Sequence, residues 1–99
     1  MNKKTKVIFK MLKGEVIALF PELVGDTNPW LSCQSYMHVG QHGSATTYLS
    51  RLQPATKEEY LPLYWELIGI GYDLEIVKKF SRKMLQERIA QVDFTKNHQ

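Results

Sequence analysis

The chain has one cysteine, four prolines and six glycines in 99 residues, and the scarcities exclude as much as the abundances suggest. A lone Cys33 forms no internal disulfide, whereas a secreted domain this small usually carries several, so a reducing cytoplasm is the expected compartment. No apolar run approaches the roughly 20 residues that a membrane-spanning helix needs; the longest is VIALF at 16–20. Lys10 and Lys13 break the N-terminal apolar stretch before it reaches the length of an export signal, and no small-residue cleavage site follows. Neither membrane insertion nor export is expected. Disorder is excluded as well, because 43% hydrophobic and 23% charged residues are globular values. The length suits one small domain, ordered over about 5–92, with a single modest core.

Acids are absent from the first 13 residues, and this absence opens the charge pattern. Residues 1–13 sum to +5, residues 14–77 to −6 and residues 78–99 to +4, so a net charge of +3 conceals basic ends around an acidic middle.

Residues 7–12 and 15–20 are β-branched and aromatic runs joined by Lys13-Gly14, which predicts a β-hairpin with glycine where positive φ is required. Both strands are apolar at nearly every position, with Lys10 and Glu15 as interruptions, which implies burial on both faces or one face against helices and the other partly covered by a loop. Turn-forming pairs in 21–31 take the chain out of the sheet. Residues 32–39 then alternate, with Cys33, Ser35, Met37 and Val39 opposite Gln34, Tyr36 and His38, as a third strand requires. Residues 40–45 read as a glycine-bracketed turn leading to a fourth strand at 46–52.

Thr56 followed by Glu59 is a capping box, predicting a helix over 56–70 with Tyr60, Leu63, Tyr64 and Leu67 on one stripe and Gly69 and Gly71 at its end. Pro62 sits inside it and would cost about 3 kcal/mol in a regular interior, so the first turn should loosen or the helix start near Pro62. Residues 74–80 read as a fifth strand. Ser81 caps a last helix over roughly 82–92, with Met84, Leu85, Ile89 and Val92 apolar and 93–99 frayed. The expected fold is α+β, ordered ββββαβα, with an antiparallel meander from 7 to 52 and the 56–70 helix across one face.

The strings VIFK…GEVIALFPE, SYMHVGQHGSA and PATKEEY…GYDLEIVKK, in this order over about residues 7–79, resemble a family of small uncharacterised bacterial proteins of phages, plasmids and conjugative elements. The resemblance implies a bacterial cytoplasm and mobile-element biology, and no activity. Leu61, Pro62 and Trp65 depart from the more charged helix expected of such relatives.

Several groups of residues are candidates for function. His38, Gly40, Gln41, His42, Gly43 and Ser44 form a turn in which close backbone approach and exposed amides suit a phosphate or other small ligand; the plainer reading is that the glycines only satisfy the turn. Zinc held by His38, His42 and Cys33 is disfavoured, since Cys33 and His38 face opposite sides of a strand and no fourth ligand is near in sequence. A Cys33 or Ser44 nucleophile lacks an orienting acid, so no catalytic residue, metal or cofactor is assigned.

Convergence of the basic ends would join Lys3, Lys4, Lys6, Lys10, Lys78, Lys79, Arg82 and Lys83 into a nucleic-acid face, with Tyr36 and Tyr48 stacking on bases. A solvated lysine fringe is the ordinary meaning of such charges. Arg82 and Lys83 in the first turn of a helix oppose its dipole, a hint that they serve something else. A protein partner, or self-association as a homodimer, would use Trp30, Leu61 and Trp65 if exposed. The sequence therefore favours non-catalytic binding of a macromolecule over binding of a small ligand.

Overall fold

In the computed structural model the described residues are 4–25, 30, 32–38, 41–46 and 51–97, of which 41 and 93–97 are described by backbone alone. The elements are β1 (Thr5–Leu12), β2 (Glu15–Phe20), β3 (Ser32–Met37), β4 (Gln41–Thr46), α1 (Lys57–Gly69), β5 (Leu74–Ile76) and α2 (Arg82–Asn97). This is an α+β fold with the order ββββαβα, and the strands form one sheet ordered β4-β3-β2-β1-β5. Four strands make an antiparallel meander, whereas β5 joins the free edge of β1 in parallel.

The hairpin turn forms as its residues require. Lys13 and Gly14 both have positive φ, 52° and 83°, the primed-turn geometry whose twist matches the flanking strands. Alternation then sends Val7, Phe9, Ala18, Phe20 and Tyr36 to one face, where Leu63 and Leu67 of α1 complete a core with Leu74. Ile8, Ile17, Leu19, Cys33 and Ala45 take the other face, packed by Leu12, Met37, Val77 and Phe80. Both faces of the hairpin are thus buried, one of the two arrangements its nearly continuous apolar pattern left open.

α1 begins at Lys57 despite Pro62, with both halves of the Thr56–Glu59 capping box present. The expected loosening at Pro62 does not occur. Pro62 and Glu58 are both exposed, so the carbonyl deprived of its helical partner lies on the solvated side. The helix ends in a Schellman motif: the Gly71 amide donates to the Ile68 carbonyl at 3.0 Å and the Tyr72 amide to the Leu67 carbonyl at 3.1 Å. Gly71 has φ 114°, so the stop belongs to it, and Gly69 remains helical.

Three boundaries differ from expectation. Residues 41–45, expected within a turn, are extended: Gln41–Thr46 is strand β4, paired with β3 from Met37↔Gln41 to Ser32↔Thr46. Of the strand expected at 46–52, residues 47–50 lie outside the described residues, and Arg51 and Leu52 are not extended. β5 stops at Ile76 instead of 80, because Lys78 and Lys79 are solvated and Phe80 turns under the second face. α2 runs on to Asn97 in place of a frayed tail. Ser81 does cap it, its Oγ accepting from the Met84 amide at 3.3 Å.

α2 lies on the face opposite α1 and is fixed by polar anchors. Arg88, 3% exposed, donates to the Pro21 carbonyl and lies 5.6 Å over the Phe80 ring. Gln91 spans the chain after β2, donating to the Glu22 carbonyl at 2.6 Å and accepting from the Val24 amide at 2.9 Å. Among the described residues no helix is long and apolar enough to cross a membrane.

Candidate functional site

The polar centre of the α1 face is built where β3 and β4 meet the end of α1. Tyr36 and His42 are direct cross-strand partners, their rings edge to face at 4.6 Å. The Schellman stop after α1 brings Tyr72 back over the sheet, stacked on Phe20 at 5.2 Å, and its hydroxyl lies 3.1 Å from His42 Nε2. From α1, Glu66 reaches down with both oxygens engaged. Oε2 accepts from the Tyr36 hydroxyl, and Oε1 lies 2.5 Å from His38 Nδ1. Burial of Tyr72 pushes its phenol pKa up. Beside His38 opens a cleft of about 230 Å³, whose lining includes Glu15 and Glu59.

This cluster ties α1 to the edge of the sheet and offers hydrogen-bonding groups at a solvent boundary, since the His38 side chain is 74% exposed. The Cys33 nucleophile considered from sequence is not part of it. Cys33 is on the opposite face, fully buried, and burial pushes its thiol pKa up to about 11 despite the nearby Arg88 charge. Cys33 and His38 therefore do not meet. Among the described residues no three His, Cys, Asp or Glu side chains stand as a metal-ligand group.

Of the six residues expected to make a ligand cradle, Gln41 to Ser44 lie in β4 and His38 directly follows β3. Strand pairing puts His42 and Ser44 on the face of Tyr36 and Gln34, and Gly43 on that of Ser35. Gly40 lies outside the described residues, as does the side chain of Gln41. With 41–46 in the β3 ladder, the nest of outward amides that a turn would have made is replaced by strand.

The basic residues are brought together in part. β5 pairs Lys6 with Glu75 and Val7 with Ile76, so the chain leaving β5 runs beside the second half of β1. Lys78, Lys79, Arg82 and Lys83 are all exposed there, and Lys4 is exposed at the start of β1. Lys6 is instead paired with Glu22 at 3.3 Å, and Lys10 is 7% exposed. Tyr36 is 2% exposed and cannot stack on bases; its hydroxyl is committed to Glu66. Lys3 and Tyr48 lie outside the described residues.

Glu66, Tyr72, Arg88 and Gln91 are structurally important polar residues not singled out from sequence. Tyr72 had a signal, because the residue after a Schellman glycine commonly packs back on the helix. Glu66 and Arg88 had none, since a charge beside an apolar stripe ordinarily points to solvent. Compared with protein-family models, with curated proteins and with solved structures, the chain gives no match.

Proposed function

We propose that the protein is a non-catalytic binding module whose β5–α2 junction holds a nucleic-acid phosphate backbone. The observation that carries this reading is the KKFSRK segment: Lys78, Lys79, Arg82 and Lys83 are all exposed, with no acid among residues 78–83. The first turn of α2 likewise contains no acid, although acids are favoured there. Amide N–H groups at this helix start add to the positive potential. Across the sheet, α1 opens with exposed Glu58 and Glu59 against the exposed Lys57, a net acidic start that repels a polyanion relative to the junction. The family resemblance, with its mobile-element and bacterial cytoplasmic setting, is compatible with such a partner.

Amide chemical-shift mapping with a short single-stranded oligonucleotide tests the assignment. Shifts centred on 78–83 are expected. Shifts centred on 36–46 and absent from 78–83 would transfer the site to the α1 face.

A protein partner is a second reading, favoured by the outer face of α1. Trp65 is 62% exposed and Ile70 53%, with half-buried Leu61 one turn before Trp65. Exposed aromatic residues of this kind anchor interfaces between chains, including copies of one chain. A concentration-dependent rise in mass that disappears in Trp65→Ser would assign this face to self-association, and a monomer at all concentrations would remove that form of the reading.

A further inference from the structure

The edge of β1 is covered by two different segments. At its start the Val7 carbonyl accepts from the Val77 amide at 2.9 Å; further on, the Phe9 carbonyl accepts from Ala55 at 3.0 Å and the Met11 amide donates to Gln53 at 2.9 Å. Between the two segments lies a groove of about 300 Å³. That is the lower end of the range for small-molecule sites.

Its walls are mainly apolar, from Ile8, Phe9, Tyr60, Ile76 and Val77, with Tyr60 stacked on Phe9 at 4.6 Å. Two cations interrupt them. Lys78 is exposed at the rim, whereas Lys10 is more than nine-tenths buried. Among the described residues no carboxylate or other acceptor pairs with the Lys10 ammonium, in contrast to Lys6, which has Glu22. The Lys10 stem is buried while its ammonium reaches solvent, since among the described residues no buried side-chain nitrogen lacks a partner; an unpaired cation at the mouth of an apolar groove suits an anion that arrives with its own apolar body.

We infer that this groove binds a small amphipathic carboxylate, aromatic or medium-chain, with its apolar part against Phe9, Tyr60 and Ile76 and its carboxylate between Lys10 and Lys78. A polyphosphate fits poorly, because among the described lining residues only Lys10 and Lys78 are cations and the rest offer little to a highly hydrated group. The inference shares Lys78 with the nucleic-acid reading but does not rest on it, since Lys10 and the apolar walls lie outside the 78–83 segment and Lys79, Arg82 and Lys83 do not line the groove.

Titration of the isotope-labelled protein with two matched pairs, octanoate against 1-octanol and indole-3-acetate against indole-3-ethanol, tests it. At least one acid should shift the signals of residues 8–10, 55 and 76–78 with a Kd at or below about 1 mM, the affinity a ligand of this size can reach. Its alcohol should bind at least about fivefold more weakly, as should the acid to Lys10→Met, with Lys78→Gln as a surface variant that spares the core. The pair that responds identifies the tail. Equal binding of acid and alcohol, shifts confined to 78–83, or no shift for either acid at about 5 mM would overturn the assignment.

Discussion

Replacement of Glu66 probes how the sheet and α1 are held in register. The Tyr36 side chain is 98% buried, given its 2% exposure, and its hydroxyl donates to a carboxylate oxygen carried by a different element. A hydrogen bond to a charged group contributes about 1.5–3 kcal/mol, and a hydroxyl left unsatisfied under a helix carries a further penalty. The His38 contact is worth less, below about 1 kcal/mol, because its imidazole is mostly in water. Glu66→Ala should therefore destabilise the fold by about 2–3 kcal/mol, and Tyr36→Phe by about 1–2 kcal/mol. The double variant should fall short of the sum by about 1–2 kcal/mol, read by urea unfolding with an unchanged m-value. Single and double changes that add to within about 0.3 kcal/mol would refute the coupling.

Three further outcomes follow from buried groups. Arg88→Ala should cost about 2–4 kcal/mol in chemical denaturation, since it removes the donor to the buried Pro21 carbonyl and the cover over Phe80; Arg88→Met should recover the packing share only. Gly25→Ala should lower the melting temperature by several degrees, because a Cβ there would lie 2.6 Å from the Cys33 carbonyl oxygen, and backbone cannot give way as a side-chain end can. The Cys33 thiol ionises near its ordinary 9.0 in the unfolded chain and only at about 11 in the fold, so the unfolded state holds fewer protons between these values. Stability contributed by the protonated thiol is complete below pH 9 and falls as pH rises towards 11, by about 2–3 kcal/mol in all. Cys33→Ala should lack that component of the alkaline slope, and a thiol reagent should react with the native protein only as fast as it unfolds.

The parts of this fold that were legible in the sequence are those governed by local rules. The hairpin at Lys13-Gly14, the Thr56–Glu59 box and the Ser81 cap each depend on neighbouring residues, and each forms as read. Where pairing between distant segments decides the outcome, local rules misled. Gly40 and Gly43 suggested a turn through 40–45, but matching β4 to β3 across Tyr36↔His42 draws Gln41–Thr46 into the sheet. The parallel seat of β5 on β1 had no local signature either, and it decides which lysines stand together.

Charge showed the same division. The basic ends were plain from composition, yet burial separated their members: the Lys10 stem entered a groove, Lys6 took Glu22, and Lys78, Lys79, Arg82 and Lys83 stayed exposed. Tyr36 reads from sequence as a stacking surface and proves to be the buried donor to Glu66. Such a difference cannot be read locally, because the residue that recruits Tyr36 is 30 positions away.

The salt dependence of oligonucleotide binding tests the central claim most directly. If Lys78, Lys79, Arg82 and Lys83 each neutralise a phosphate of a single strand, the logarithm of affinity falls with the logarithm of salt at a slope of about −3, a roughly 50-fold loss between about 50 and 200 mM. Changing the four to glutamine should abolish both the affinity and the slope while leaving the thermal unfolding temperature nearly unchanged, because all four side chains are exposed. A folded quadruple variant that binds as tightly as the parent, with the same slope, would contradict the claim.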